Sequence, residues 1–169
     1  MFEKGDAVFH PGKGAGIVMG ITAMPVLPKR RCYKIKMADQ RAKTILMVPV
    51  KKVADVGLRY AVSGEDVEAV WRVLGAEPVD LPAKHKLRYK LLKDKLRTGD
   101  ILALAEAIRD MEWRKAKEQR LNAPGQRIYT QAMRMLSGEL SVVLDIDMLQ
   151  AEQRILDHLN LPEIDEEEA

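Results

Sequence analysis

Between Lys84 and Arg97 the chain places seven cations, Lys84, Lys86, Arg88, Lys90, Lys93, Lys95 and Arg97, against a single acid, Asp94. Lys86, Lys90, Lys93 and Arg97 recur at helical spacing, so a helix here carries four positive charges along one face. Like charges one turn apart cost an isolated helix roughly 0.2–0.5 kcal/mol per pair. A bare solvated face usually mixes signs. A nucleic-acid backbone would relieve the repulsion and release counterions. The stripe therefore points to phosphate contact, with a merely solvated face as the alternative.

Other chemistry is hard to find. Gly12-Lys13-Gly14-Ala15-Gly16 is glycine-rich, but it lacks the Gly-Lys-Ser/Thr ending and the helix of a phosphate loop. It reads as a tight strand-to-strand turn. His10, His85 and His158 lie in three separate segments, and with one cysteine, Cys32, no metal-ligand spacing appears. No nucleophile stands beside a base, and no acid stands in an apolar stretch that would raise its pKa. The expectation is a binding protein, not an enzyme, with no catalytic residues, no metal and no cofactor.

At 169 residues the chain suits one domain or two small ones, and 47% hydrophobic residues suffice for a core. The net charge of +3 is unevenly spread. Residues 1–62 hold 12 Lys/Arg and 4 Asp/Glu, a net +8, residues 63–162 balance, and 163–169 add five acids. That end reads as an acidic disordered tail. The N-terminal excess suits an acidic partner or a solvated surface, and Lys29-Arg30-Arg31 reads as a basic loop. No apolar run is long enough for a membrane span, no signal peptide is visible, and a lone Cys32 in a strand pattern reads as a buried thiol. A cytoplasmic protein without membrane contact follows.

The elements that must position these groups change character near residue 60. Before it, Ala7-Val8-Phe9, Gly16 to Ile21, Cys32 to Met37 and Thr44 to Val50 read as short strands broken by glycine and proline, as in a small β-barrel. After it, the 3.6-residue period takes over. Ser63 opens a helix bearing Val67, Val70, Trp71 and Leu74, and 76–82 reads as a linker. The basic helix follows, docked by Leu87, Leu91, Leu92 and Leu96. Thr98-Gly99-Asp100 stops it and caps the next helix, which has a stripe of Ile101, Leu104, Ala105, Ile108 and Met111. Asn122 and Asp147 cap two more. The fold class is α+β, with boundaries at 1–60, 61–162 and 163–169.

Gly5-Asp6, Pro11-x-x-Gly14-x-Gly16, Met47-Val48-Pro49-Val50 and Val56-Gly57-Leu58-Arg59 stand in order through the β half. Arg88-Tyr89-Lys90, Gly99-Asp100, Ile108-Arg109-Asp110 and Leu136-Ser137-Gly138-Glu139-Leu140 follow. Together these fragments resemble the CarD/CdnL family of bacterial transcription regulators, over about residues 2 to 160. The resemblance implies a Tudor-like antiparallel β-barrel that binds the β subunit of RNA polymerase, followed by an all-α domain that touches promoter DNA and stabilises the open complex. By position, Ile35, Met47, Val48 and Pro49 would face the polymerase; inward-facing barrel positions are the alternative for Ile35 and Val48. Lys84, His85, Lys86, Arg88, Lys90, Lys93 and Arg97 would meet DNA, chiefly its backbone and minor groove. Relatives carry a tryptophan wedge where this chain has His85, and often an arginine where it has Leu87. That departure leaves open an adaptor that binds polymerase but has lost its DNA wedge. A monomer is the default, and edge strands leave room for a dimer.

Overall fold

The strand-rich half forms a single sheet. In the computed structural model, which describes residues 1–39 and 44–165, the strands are β1 (Ala7–His10), β2 (Gly14–Met24), β3 (Leu27–Met37), β4 (Ile45–Pro49) and β5 (Arg59–Tyr60). They form one five-stranded sheet in the order β4-β3-β2-β1-β5, with every pairing antiparallel. A 3₁₀ turn (Val50–Lys52) and a single helical turn, α1 (Val53–Val56), connect β4 to β5. Gly57 stops α1 at φ +71°, a left-handed conformation that glycine adopts at little cost.

Alternation along the strands sends Val8, Val18, Tyr33, Ile35, Met37 and Val48 inward, where they join Phe2 and Leu58 in one core. Phe2 meets Tyr33 and Tyr60 edge-on, with centroids 5.4 and 4.7 Å apart. Its backbone N–H donates to the Tyr33 hydroxyl at 3.2 Å. Gly16 is required where β2 crosses β3: a Cβ there would lie 2.6 Å from the Lys36 carbonyl oxygen. The glycine motif is thus a packing device of the sheet. Buried Cys32 is a free thiol in β3.

The helices are α2 (Gly64–Gly75), α3 (His85–Thr98), α4 (Ile101–Glu118), α5 (Ala123–Leu144) and α6 (Met148–His158). Their boundaries follow the sequence signals. Gly99 closes α3 at φ +65°, and the Asp100 carboxylate accepts from the Leu102 and Ala103 N–H groups to open α4. Asn122 accepts from Gly125 N–H at α5, and Asp147 and Gln150 exchange bonds at α6.

Contacts divide the chain into two compact units, 1–63 with 137–151, and 64–136 with 152–169. This division assigns 137–151 to the strand-rich unit, unlike a single boundary at residue 60. Glu139, whose side chain is fully buried, lies in that segment. It takes Arg59 in a two-pronged pair (2.7 and 3.1 Å) and the Val62 N–H at 3.1 Å. Within the second unit, Val67, Val70 and Leu74 of α2, Leu92 and Leu96 of α3, and Leu104, Ile108 and Met111 of α4 are buried. The linker 76–82 is tied down by Asp110, which accepts from Val79 N–H at 2.9 Å and from Arg109 Nε at 2.8 Å. Of the acidic tail, 166–169 lie outside the described residues.

Candidate nucleic-acid and partner surfaces

α3 is a helix by packing more than by its own preference. Its first turn has no acid, and the extended residue before it, Lys84, makes no side-chain cap. Three residues at i, i+4 and i+8, Arg88, Leu92 and Leu96, are buried and anchor it. The opposite side is open. Lys84, His85, Lys86, Lys90, Lys93 and Arg97 are all exposed. Among the described residues no ion pair engages Lys84, Lys86, Lys90 or Lys93, whereas Arg97 pairs with Asp94 at 3.3 Å. Such an exposed pair is worth about 0–1 kcal/mol and does not hold Arg97 back from a phosphate.

Arg88 departs from the expected set. It is 6% exposed, and its Nη1 donates to the carbonyls of Pro82 and Ala83 at 3.0 and 2.9 Å. Its guanidinium also lies 5.1 Å from the Tyr89 ring centroid. Arg88 braces the entry to α3 and presents no charge to a ligand. Leu87 and Leu91 depart the other way: they are 56% and 41% exposed and do not dock the helix. The His85 ring lies 6.2 Å from that of Tyr89, tilted by 52°, and the Tyr89 hydroxyl bonds Asn122 Oδ1 at 2.6 Å. Trp71 stacks on His158 at 4.1 Å, and Trp113 donates to Asp80, so neither indole stands free as a wedge.

A cavity of about 480 Å³ opens beside α3, lined in part by Arg88, Tyr89, Arg114 and Asn122. Its polar groups already serve one another: Arg114 pairs with Glu118 at 2.7 Å, and Asn122 takes Tyr89 and the Gly125 N–H.

In the β unit, β4 is an edge strand that among the described residues pairs only with β3. Met47 and Pro49 are half-buried upon it. Ile35 and Val48 are 1% and 3% exposed and belong to the core, so neither side chain can touch a partner directly. The large apolar group that β4 does expose is Ile45, at 46%. Strand parity hinted at this: Tyr33 and Val48 pair across β3 and β4 and both point inward.

Two acids contradict the expectation that none stands in an apolar stretch. Glu139 lies between Leu136 and Leu140, and Asp110 between Ile108 and Met111; all six residues are buried. Each carboxylate is held by an arginine, Arg59 or Arg109. They act as structural clasps on the protein's own donors. Among the described residues no group of three or more His, Cys, Asp or Glu gathers as a metal site would need, and no helix is long and apolar enough to cross a membrane.

Both halves of the chain match known domain families. Residues 2–61 match the CarD-like/TRCF RID domain, and residues 69–156 match the CarD C-terminal domain. The chain belongs to the CarD family. It is similar to a Bacillus subtilis (strain 168) protein described as "Putative transcription factor YdeB". The two are 31% identical over 147 residues, covering 86% of this chain and 94% of the relative. The β unit is the family's Tudor-like module, the fold class is α+β, and the family's role is transcription regulation.

Proposed function

We propose that this CarD-family protein is a non-enzymatic regulator that binds the RNA polymerase β subunit through its β module and promoter DNA through α3. It thereby stabilises the open promoter complex. The observation that carries this reading is the exposed stripe of Lys86, Lys90, Lys93 and Arg97, opposed within its helix only by Asp94. Three or four cations on one face fit a phosphate backbone, which they position without reading bases. Lys84 and Lys86 flank His85 at the start of the helix, where a small polar ring can stack on a base more weakly than a tryptophan would.

For the polymerase, β4, which among the described residues pairs only with β3, offers the edge of a sheet to a partner strand, with Met47, Pro49 and Ile45 beside it. Ile35 and Val48 act from inside, by holding β4 in place. The protein works as a monomer in the cytoplasm, at the nucleoid through polymerase.

The second reading is an adaptor that keeps polymerase binding and has lost the wedge. His85 favours it, being the exposed residue at the position where the family's tryptophan is expected. Open-complex lifetime on a ribosomal promoter, with the cognate polymerase, separates the two. The regulator reading expects a longer lifetime with the protein present. It expects the gain to vanish in Met47→Glu and in Lys86→Glu/Lys90→Glu, and to shrink in His85→Ala. An unchanged lifetime with polymerase binding intact establishes the adaptor.

A further inference from the structure

The cavity beside α3 lies wholly within the helical unit, since every residue that lines it falls in 64–136. At about 480 Å³ it is within the roughly 300–1,000 Å³ of sites that enclose small organic molecules. It takes α3 by the packed side, through Arg88, Tyr89 and Leu92, and none of the stripe lysines lines it. Buried Leu81, Leu92 and Met111 give it an apolar wall.

The charged lining is one-sided. Arg88, Arg114 and Arg120 stand against a single acid, Glu118, so three cations less one acid leave a net +2. Arg88 gives two hydrogen bonds to the Pro82 and Ala83 carbonyls, which satisfy donors without cancelling its charge. Arg114 holds Glu118 at 2.7 Å, but half of that acid's side chain is exposed, so the tie is weak and a stronger anion can displace it. Arg120 is exposed, and among the described residues no ion pair or hydrogen bond engages it. Asn122 Oδ1 accepts from both the Tyr89 hydroxyl and the Gly125 N–H. Those two bonds fix which way the amide is turned, and its two Nδ2 donors have no partner among the described residues.

The groups left over are therefore donors: Arg120, the Asn122 amide and a displaceable Arg114. A carboxylate brings one charge and two oxygens to them. A phosphomonoester brings three terminal oxygens and a charge of about −1.5 to −2 at pH 7, which matches the net +2 of the lining. Inorganic phosphate would leave the wall of Leu81, Leu92 and Met111 without a partner, so the fitting ligand carries an organic body.

We propose that this cavity binds a small organic phosphomonoester, with the phosphate on Arg114, Arg120 and the Asn122 amide and the apolar body over Leu81, Leu92 and Met111. The site is separate from the surfaces assigned above to DNA and polymerase, and it stands whether or not those assignments do.

The test titrates phenyl phosphate into the full chain without DNA, followed by calorimetry and by proton–nitrogen spectra. The Asn122 side-chain amide should shift and saturate. Arg120→Gln, at an exposed position, should weaken binding about tenfold or more, the worth of one charge-assisted hydrogen bond, with an unchanged circular dichroism spectrum. Glu118→Gln should tighten binding by releasing Arg114, a gain that damage to the fold would not produce. Inorganic phosphate, which lacks the body, and benzoate, which lacks the second charge, should both bind more weakly than phenyl phosphate. Lys86→Glu/Lys90→Glu should bind it as the parent does. No saturation in the millimolar range overturns the proposal. Equal affinity for inorganic phosphate does so too, for the arginines would then hold any anion. Binding lost in Lys86→Glu/Lys90→Glu and kept in Arg120→Gln also overturns it, by moving the phosphate to the α3 stripe.

Discussion

Replacing Arg88 should damage the fold and spare the charge-dependent part of DNA binding, although it sits amid the basic helix. In Arg88→Met, Nη1 no longer donates to the Pro82 and Ala83 carbonyls, at 3.0 and 2.9 Å. A hydrogen bond from a charged donor contributes about 1.5–3 kcal/mol. Ala83 is exposed and Pro82 half-exposed, so water can replace part of what both carbonyls lose. Methionine also retains most of the buried stem. A net cost of about 1.5–3 kcal/mol, the worth of one such bond rather than two, is expected. Lys86→Met, at an exposed position without an ion pair, should stay within about 0.5 kcal/mol of the parent.

Urea unfolding followed by tryptophan fluorescence reads the fold, because Trp71 and Trp113 both lie in the helical unit. The salt slope of duplex binding reads the charge: Lys86→Met should lower it by about 0.9, and Arg88→Met should leave it unchanged at temperatures where the variant is folded. The opposite pattern, a stable Arg88→Met with a slope lowered by about one, would refute the assignment of Arg88 to the brace.

Three further outcomes follow from the same geometry. Glu139→Met removes both prongs of the Arg59 pair and the acceptor of the Val62 N–H, and with Arg59 partly open to water should cost about 1–3 kcal/mol; Arg59→Met/Glu139→Met should recover part of it, and a double variant as unstable as the sum of its singles would show that the two do not act as a pair. Gly16→Ala should cost about 1–3 kcal/mol, since its Cβ meets backbone at 2.6 Å; a wild-type melting temperature would sink that reading. His10 has its pKa lowered, first by burial, so its neutral form is favoured in the folded state. The unfolded chain then binds more protons below about pH 6.5, and the stability this confers is present above that pH and lost as pH falls through the folded value. His10→Gln should flatten the stability profile on the acid side of pH 6.5, and an unaltered profile would remove His10 from it.

Periodicity located most of the fold because the signals were local. Gly99-Asp100 and the Asn122 cap on the Gly125 N–H work by bonds to residues within four positions of themselves, so the sequence contains the capping device. The misreadings came where long-range contacts decide. Glu139 is held by residues about eighty positions away, and nothing near it in the chain announces Arg59. Lys29-Arg30-Arg31 reads as a basic loop in the sequence, yet a two-residue turn at Pro25-Val26 pairs Met24 with Leu27 and β3 runs on from there. Arg88 was legible in retrospect: it shares its i, i+4, i+8 line with Leu92 and Leu96, and that line is the buried one. Its membership in a charged run masked its place on the packed face. Leu87 and Leu91 fall on a different line, and the same reading would have left them in solvent.

The electrostatics of α3 tie its stability to its use. Cations at a helix N-terminus oppose the macrodipole, and the first turn here has Lys84 before it, Lys86 within it, no acid and no side-chain cap. The repulsion within the lysine stripe adds to that cost. Neither cost is offset along the helix surface, where Asp94 is the only acid. The offset lies on the buried side, in Leu92, Leu96 and the Arg88 brace to Pro82 and Ala83. A phosphate near Lys84 and Lys86 would relieve both unfavourable terms at once. The helix is therefore built to be held from behind and satisfied from in front. Amide exchange in the first turn of α3 should be fast in the free protein and slowed by duplex DNA, while exchange around Leu92 and Leu96 stays slow in both. Protection of the first turn without DNA would mean that the helix carries its own charge without strain, and that the stripe is only a solvated face.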